Sequence, residues 1–336
     1  MDLTALAAEV AATIANADVG VVAVGGGTHQ EVGNRLPSGL TGIRLPAGIV
    51  AHEPDDLTVT ALAGTTVREL QAVLAASGQE VPLDPRDADA TVGGVLAAGL
   101  SGTRRLRLGP VRDTLLEVRF VDGTGTLVTG GGPVVKNVSG YDIPRLLVGS
   151  LGTLGVMLQV TLRCRPIAAG RAWFTTSTAA DEVRAALFRP SSVLTDGVST
   201  HVLLEGVASD IAAETERAAL GEPTAPPFLP AGAHRGRISV PPAKVAPLVS
   251  ALRRIDGLRL LAEAGVGTVH VAGDTAGVLV SARSVASAHK GWLLREAGGP
   301  EGFDGFGVAL PNRGLAGRVK RAFDPHHRLS PGRIPL

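Results

Sequence analysis

The residues best suited to chemistry in this chain are glycines. The run VGGGTHQEVG, Val24 to Gly33, sets three consecutive glycines after a short apolar stretch and before Thr28, His29 and Gln30. Without a Cβ to hold a ligand away, several backbone N–H groups can converge on one anion and form a nest that needs no lysine. A second cluster, TVGGVLAAGLSG, offers Gly93, Gly94, Gly99 and Gly102 with the hydroxyls of Thr91 and Ser101. A third, GSLGTLGV from Gly149 to Val156, opens another loop ahead of an apolar strand. Any one cluster could be no more than a tight turn or a close helix crossing. Three in one half of the chain, each bordered by Ser or Thr, suit a long ligand carrying a pyrophosphate.

Neither common nucleotide-loop pattern is met. The doubly wound dinucleotide fold requires G-x-G-x-x-G between strand and helix, and Gln30 stands where the last glycine belongs. The chain beyond it is broken by Gly33, Pro37, Gly39 and Gly42. A G-K-[ST] phosphate loop occurs nowhere. The single cysteine, Cys164, excludes an intramolecular disulfide and a thiolate cluster. His326 and His327 are adjacent, so in an extended chain they would point to opposite sides, and His270 stands alone in GVGTVHVAGD. No metal site is expected. A lone strand histidine reads as a packed or half-exposed residue. The formal net charge is +1, and TRRLRLGPVR, Thr103 to Arg112, is too short to be a nucleic-acid footprint.

The elements around the glycines alternate helix and strand. The N-terminal stretch, with Asp2 and Glu9, reads as an amphipathic helix and not a signal peptide. No segment reaches the roughly 20 apolar residues that span a bilayer, so the expected compartment is the cytoplasm. GVVAV reads as a buried strand entering the glycine triplet, and DLTVTAL as another strand. TTVRELQAVLAASG reads as a helix with a Thr N-cap, Val67, Leu70, Val73 and Leu74 on one face, and Gly78 closing it. TLLEVRFVDGTGTLVTG is a hairpin pattern, and VMLQVTLRCRP a strand ended by Pro166. Apolar residues make up 45% of the chain but aromatics only 3%, so the core must be Ala, Val and Leu. Beyond about residue 168 the glycine clusters stop. RAWFTTSTAADEVRAAL and GRISVPPAKVAPLVSALRRI repeat a strand–turn–helix scheme, which predicts a separate α+β unit with an antiparallel sheet. FDPHHRLSPGRIPL is too rich in Pro and Gly for either element and reads as a tail laid over something else.

The ordered set GGGTHQEVG, DATVGGVLAAGLSG, LGPVRDTLLEVRFVDGTGTLV, KNVSGYDIPRLLVGSLGTLGV and DPHHRLSPGR resembles the FAD-binding proteins of the vanillyl-alcohol oxidase and p-cresol methylhydroxylase type. Within that group it is most similar to the FAD-binding subunits of bacterial glycolate oxidases. The likeness is dense from about residue 20 to 166 and clear in the tail. It implies an α+β fold: a p-cresol-methylhydroxylase-type FAD domain of two α/β lobes over residues 1–168, a cap over 169–304, and a segment, 305–336, returning to the FAD domain. Gly25, Gly26, Gly27 and Thr28 would wrap the pyrophosphate, and His29 and Gln30 would finish that loop. Thr91, Gly93, Gly94, Ser101 and Gly102 would line the diphosphate and isoalloxazine from the other side. Asp113 would anchor the next turn, and Val156 would meet the adenine through its main chain. Tyr141 is either a packing aromatic or a flavin contact. Relatives that attach flavin through a G-G-H-S histidine place it where this chain has Thr28, one residue before His29, so non-covalent FAD is expected. Ser330 stands where the family commonly has Asn. Arg333 and Arg313 are either carboxylate ligands or surface arginines.

The resemblance implies a flavin oxidoreductase acting on a small 2-hydroxy acid such as glycolate or D-lactate. Its partners would be a second FAD subunit and an iron–sulfur subunit, with peripheral membrane association through them. The family's His-rich cap element, G-H-x-G-D-G-N-x-H, is reduced here to His270, which keeps open a flavin-carrying or structural subunit with no catalysis of its own. A protein using NAD instead is disfavoured by the missing strand–G-x-G-x-x-G–helix unit.

Overall fold

The computed structural model describes residues 2–132, 140–308 and 312–336. The chain divides into two compact units, one of Met1–Gly102, Pro110–Ile167 and Ala309–Leu336, the other of Thr103–Gly109 and Ala168–Val308.

In the first unit the elements run α1 (Leu3–Asn16), β1 (Val21–Ala23), β2 (Thr41–Ile43), β3 (Ile49–Glu53), β4 (Thr58–Leu62), α2 (Val67–Ala75), β5 (Gln79–Glu80) and α3 (Val92–Ala98). After α4 (Arg105–Leu108), which belongs to the other unit, come β6 (Leu115–Val121), β7 (Leu127–Gly131), α5 (Ile143–Leu147), β8 (Val156–Arg163) and β9 (Arg165–Pro166). The strands β3-β4-β8-β6-β7 form a five-stranded antiparallel sheet, β1 and β2 a parallel pair, and β5 and β9 a short antiparallel one. One core joins Leu70 and Leu74 of α2 and Val95 and Leu96 of α3 to Val118, Phe120, Val160 and Leu162 of the sheet. A second joins Val10 and Ile14 of α1 to Val121, Val156 and Leu158. Thr66 caps α2 with a full capping box to Glu69, as its sequence requires. The buried stripe of α2 is Val67, Leu70 and Leu74, and Val73 is exposed: i, i+3, i+7 leaves no room for the neighbour of Leu74. The strand read as buried, β1, buries only Val21.

The second unit contains β10 (Gly170–Thr176), α6 (Ala180–Ala186), β11 (Ser192–Thr195), β12 (Thr200–Gly206), α7 (Ala208–Arg217), β13 (His234–Ser239), α8 (Val245–Leu252), β14 (Arg259–Glu263), β15 (Thr268–Gly273), α9 (Gly277–Ala288) and β16 (Trp292–Ala297). Its seven strands form one antiparallel sheet in the order β10-β12-β11-β14-β15-β13-β16. Phe174, Val202 and Leu204 pack with Val183 and Leu187 from α6 and the loop after it; Ile238, Val269, Val271 and Leu293 pack with Leu248 of α8 and Leu279 of α9. Alternation along the strands sends Arg171, Glu205, Glu263, His270 and Arg237 to the opposite face.

The chain's last helix, α10 (Arg313–Phe323), lies in the first unit. Val319 and Phe323 pack on the first core, and Phe323 stacks on Phe120 with ring centroids 6.1 Å apart. The tail then runs beside β1, with Val21 bridged to Leu329.

Candidate functional site

In the first unit the three glycine loops and the tail meet at one cleft. It encloses about 790 Å³, open solvent included, and is lined by Val22–Gln30, Thr91, Gly93, Gly94, Leu151, Gly152, Gly155, Ser330 and Arg333, among others.

The first loop follows β1 and is fixed from its edges. Gln30 Nε2 donates to Ala23 O at 3.0 Å, Thr28 Oγ1 pairs with His29 Nδ1 at 2.9 Å, and Arg44 Nη1 donates to Gly25 O at 3.3 Å. Among the described residues, the main-chain N–H groups of Gly25, Gly26, Gly27 and Thr28 donate to nothing else in the chain. Gly26 and Gly27 are exposed and Gly25 and Thr28 half-buried, so four consecutive donors stand open on the wall of the cleft, a nest suited to an anion.

The second loop supplies room, not donors. Thr91 caps α3 by accepting from Gly94 N at 3.2 Å; Gly93 N donates to Ala63 O and Val92 N to Thr65 O, at 2.9 and 2.8 Å. These N–H groups are therefore already used. The glycines are needed because the loops touch: a Cβ on Gly25 would collide with Thr91 Oγ1, one on Gly26 with Asp89 O, and one on Gly93 would come 2.8 Å from the Ala63 Cβ. The third loop hangs from the end of α3, with Gly149 N donating to Leu96 O and Leu151 N to Ala97 O at 3.0 and 2.8 Å. Gly99 lies so close to Gly149 that no Cβ fits between them.

The tail closes the fourth side. Ser330 N donates to Val21 O at 2.9 Å. Arg333 is 4% exposed, and its Nη2 donates to His29 O at 3.1 Å. The surface-arginine alternative for Arg333 is thus overturned, because the tail folds inward along β1. Arg313 stays exposed at the protein's end, donating to Leu336 O at 3.1 Å.

Of the residues singled out in the sequence, Gly25, Gly26, Gly27, Thr28, His29, Gln30, Thr91, Gly93 and Gly94 come together at the cleft. The others lie elsewhere. Ser101 is buried and accepts from Val111 N at 3.0 Å, and Gly102 packs against Asp84. Asp113 pairs with Arg145 at 2.8 Å and so anchors α5. The Val156 side chain is part of the α1 core. Tyr141 is 90% exposed. Residues 136–139 of the KNVSGYD block lie outside the described residues. Sequence reasoning missed Arg44, which no pattern marks, and Gly64, whose missing Cβ lets the strand β4 turn pass Leu45 O.

In the second unit His270 is fully buried, with Nε2 2.8 Å from Glu263 Oε1. Burial holds its imidazole below the ordinary value and outweighs the opposing pull of Glu263. Arg237 and Glu296 pair beside it at 3.1 Å. Among the described residues no three His, Cys, Asp or Glu side chains are grouped to hold a metal ion, and no helix is long and apolar enough to cross a membrane.

Residues 4–131, most of them in the first unit that carries this cleft, match the family model described as the FAD binding domain. The chain is 38% identical over 148 residues to the glycolate oxidase subunit GlcE of Escherichia coli, covering 44% of this chain and 42% of that one. It is also 38% identical over 104 residues to a D-lactate dehydrogenase of Archaeoglobus fulgidus, covering 31% and 24%. The match thus spans less than half of either relative's length. Among solved structures an alkyldihydroxyacetonephosphate synthase superposes with a TM-score of 0.68 at 13% identity, covering 97% of this chain and 73% of that one, which establishes the fold.

Proposed function

We propose that the chain is an FAD-dependent oxidoreductase, or a subunit of one, that oxidises a small 2-hydroxy acid such as glycolate or D-lactate. One observation carries the flavin half of this reading: four consecutive unused N–H donors, Gly25 to Thr28, on a glycine-lined cleft. The relatives named as acting on glycolate and D-lactate support the substrate half.

The residues present fit the cofactor. Gly25–Thr28 would hold its diphosphate through main-chain N–H groups. Thr91, Gly93 and Gly94 would leave space for it and exclude water, while Gly152, Ser330 and Arg333 would close the cleft from the opposite wall. When bound, FAD supplies a two-electron acceptor for hydride from the hydroxyl-bearing carbon. With a single cysteine the chain cannot hold a four-thiolate cluster, so electrons would leave to a second flavin subunit, an iron–sulfur subunit or a diffusible acceptor.

A second reading, a flavin-carrying subunit without catalysis of its own, is favoured by the relative that is itself named a subunit. Anaerobic addition of glycolate or D-lactate to the purified FAD-loaded protein separates the two. Bleaching of the visible flavin band without any partner supports the enzyme; a loaded flavin that neither acid reduces supports the carrier. Protein that takes up no FAD refutes both.

A further inference from the structure

We infer that Leu151 is an apolar ring contact of FAD, a side chain that the third glycine loop holds in a strained backbone conformation so as to present it to the cleft. This role rests on the FAD reading proposed above and deepens it. Beside the diphosphate seat it sets a wall for one of the cofactor's two ring systems.

The backbone supplies the first observation. Leu151 has a φ of 53°, in the left-handed region where a Cβ crowds the neighbouring carbonyl oxygen. Glycine occupies this region without that cost. The chain follows the rule: among the described residues 23 glycines adopt a positive φ and only six other residues do. Gly149 and Gly152, at φ 81° and 72°, stand on either side of Leu151 in the same loop. A further glycine at 151 would have suited the backbone better. The end of α3 imposes the turn, because Leu151 N donates to Ala97 O at 2.8 Å and Gly149 N to Leu96 O at 3.0 Å.

Packing inside the fold does not account for the leucine. Leu57, the other leucine at positive φ, packs against the first core. Leu151 belongs to neither core of its unit and stays half-buried on the wall of the cleft. Strain of this kind persists where the surrounding structure over-determines it, and it gathers at ligand sites. The composition of the cleft points to the ligand group involved. Among the described residues lining it there is no Phe, Tyr or Trp, so a flat ring entering it is covered by aliphatic side chains and peptide planes. Of the larger aliphatic side chains on that wall, Ile43, Leu45 and Met157 are packed in the two cores. Leu151 is the one whose apolar surface is left for a ring.

The test uses the full-length apoprotein of wild type, Leu151→Gly, Leu151→Ala and Leu151→Met, with FAD, riboflavin and ADP as probes. Flavin fluorescence gives the dissociation constants of the first two, and calorimetry that of ADP. Glycine releases the strain and alanine keeps it, while both remove the ring contact. FAD should therefore bind both variants about 5- to 30-fold more weakly, the worth of part of a leucine side chain buried against a ring. The urea midpoint of apo Leu151→Gly, followed by circular dichroism, should equal or exceed that of wild type. Leu151→Met keeps an aliphatic chain of similar volume and should hold FAD within about threefold of wild type. A loss shared by riboflavin and not by ADP places the contact on the isoalloxazine; the reverse places it on the adenine. Losses for both halves or for neither, or a lower midpoint in Leu151→Gly, would mean that Leu151 shapes the loop as a whole, and would overturn the inference. So would FAD binding at wild-type strength in the glycine and alanine variants. Wild type that binds no FAD refutes the flavin reading, and this role with it.

Discussion

Lys320 Nζ lies 2.5 Å from Asp324 Oδ2, one helical turn on, and both side chains are buried. The ammonium also donates to Thr153 O at 2.7 Å and to Leu329 O at 2.9 Å. One buried pair therefore joins the last helix, the tail and the third glycine loop. Burial lowers the Lys320 pKa from its ordinary value, and Asp324 opposes that shift. Removing one member leaves the other charged and dry. Lys320→Met should cost about 3–5 kcal/mol. The loss should appear as a lower temperature of flavin release on heating, since the tail closes the cleft. A release temperature matching wild type would show that the pair is not holding the tail.

The contact between Gly25 and Thr91 predicts a rescue. A Cβ at position 25 meets both Oγ1 and Cγ2 of Thr91. Gly25→Ala should displace the donor loop, costing about 1–3 kcal/mol by overpacking and at least a tenfold loss of FAD affinity. Shortening the partner in Gly25→Ala/Thr91→Ala removes the two atoms that the new Cβ would meet most closely, so part of the affinity should return although the α3 cap is lost. Gly277→Ala is the control: nothing lies within 4 Å of a Cβ there, and stability should rise by about 0.4–1 kcal/mol. Additive losses in the double variant would mean that the two loops do not brace each other.

The glycine loops were legible because their physics is local. A triplet, a capping Thr91 and a turn at Gly149 each declare themselves within a few residues. What lay further off depended on register or on a path without periodicity. His270 and Glu263 face the same side only because β14 and β15 pair Leu261 with His270 and Glu263 with Thr268, a registration that no pattern in the sequence fixes. Arg333 follows a Pro- and Gly-rich stretch with no hydrophobic repeat, so nothing in its neighbourhood tells inward from outward. The helix α10 buries Lys320 where a stripe of apolar residues would normally mark the inner face.

Glu205 gathers three arginines of its own unit. Arg171 Nη2 lies 2.6 Å and Arg104 Nη1 3.4 Å from Oε1, and Arg107 donates to the Glu205 carbonyl. Burial would by itself raise the Glu205 pKa, but Ser191, Arg104 and Arg171 together outweigh it and hold the carboxyl below its ordinary value. Glu205→Gln removes the buried charge that Arg104 and Arg171 both face and should cost about 3–5 kcal/mol. Both tryptophans, Trp173 and Trp292, lie in this unit, so their fluorescence during urea unfolding reports the loss. A midpoint unmoved by the substitution would show that Arg104 finds other acceptors.

His270 gives the second unit a pH dependence of opposite origin. Here burial wins: the imidazole resists protonation although Glu263 lies 2.8 Å away. In the unfolded chain the same ring takes a proton near the ordinary value of 6.5. Between that value and the lower folded one, the unfolded state binds more protons, so stability falls as pH falls. Above about pH 6.5 the contribution is complete, and it is lost on acidification toward the folded value. The charged groups facing the ring, Glu263 on β14, Arg237 on β13 and Glu296 on β16, do not reverse the sign, because the net shift already includes them. Tryptophan-monitored urea midpoints should therefore drop between pH 7.5 and 5.5 in wild type. In His270→Gln, whose amide can still donate to Glu263 but cannot titrate, the drop should be shallower. Parallel slopes in the two proteins would assign the acid sensitivity to other groups and leave the buried histidine without a role in it.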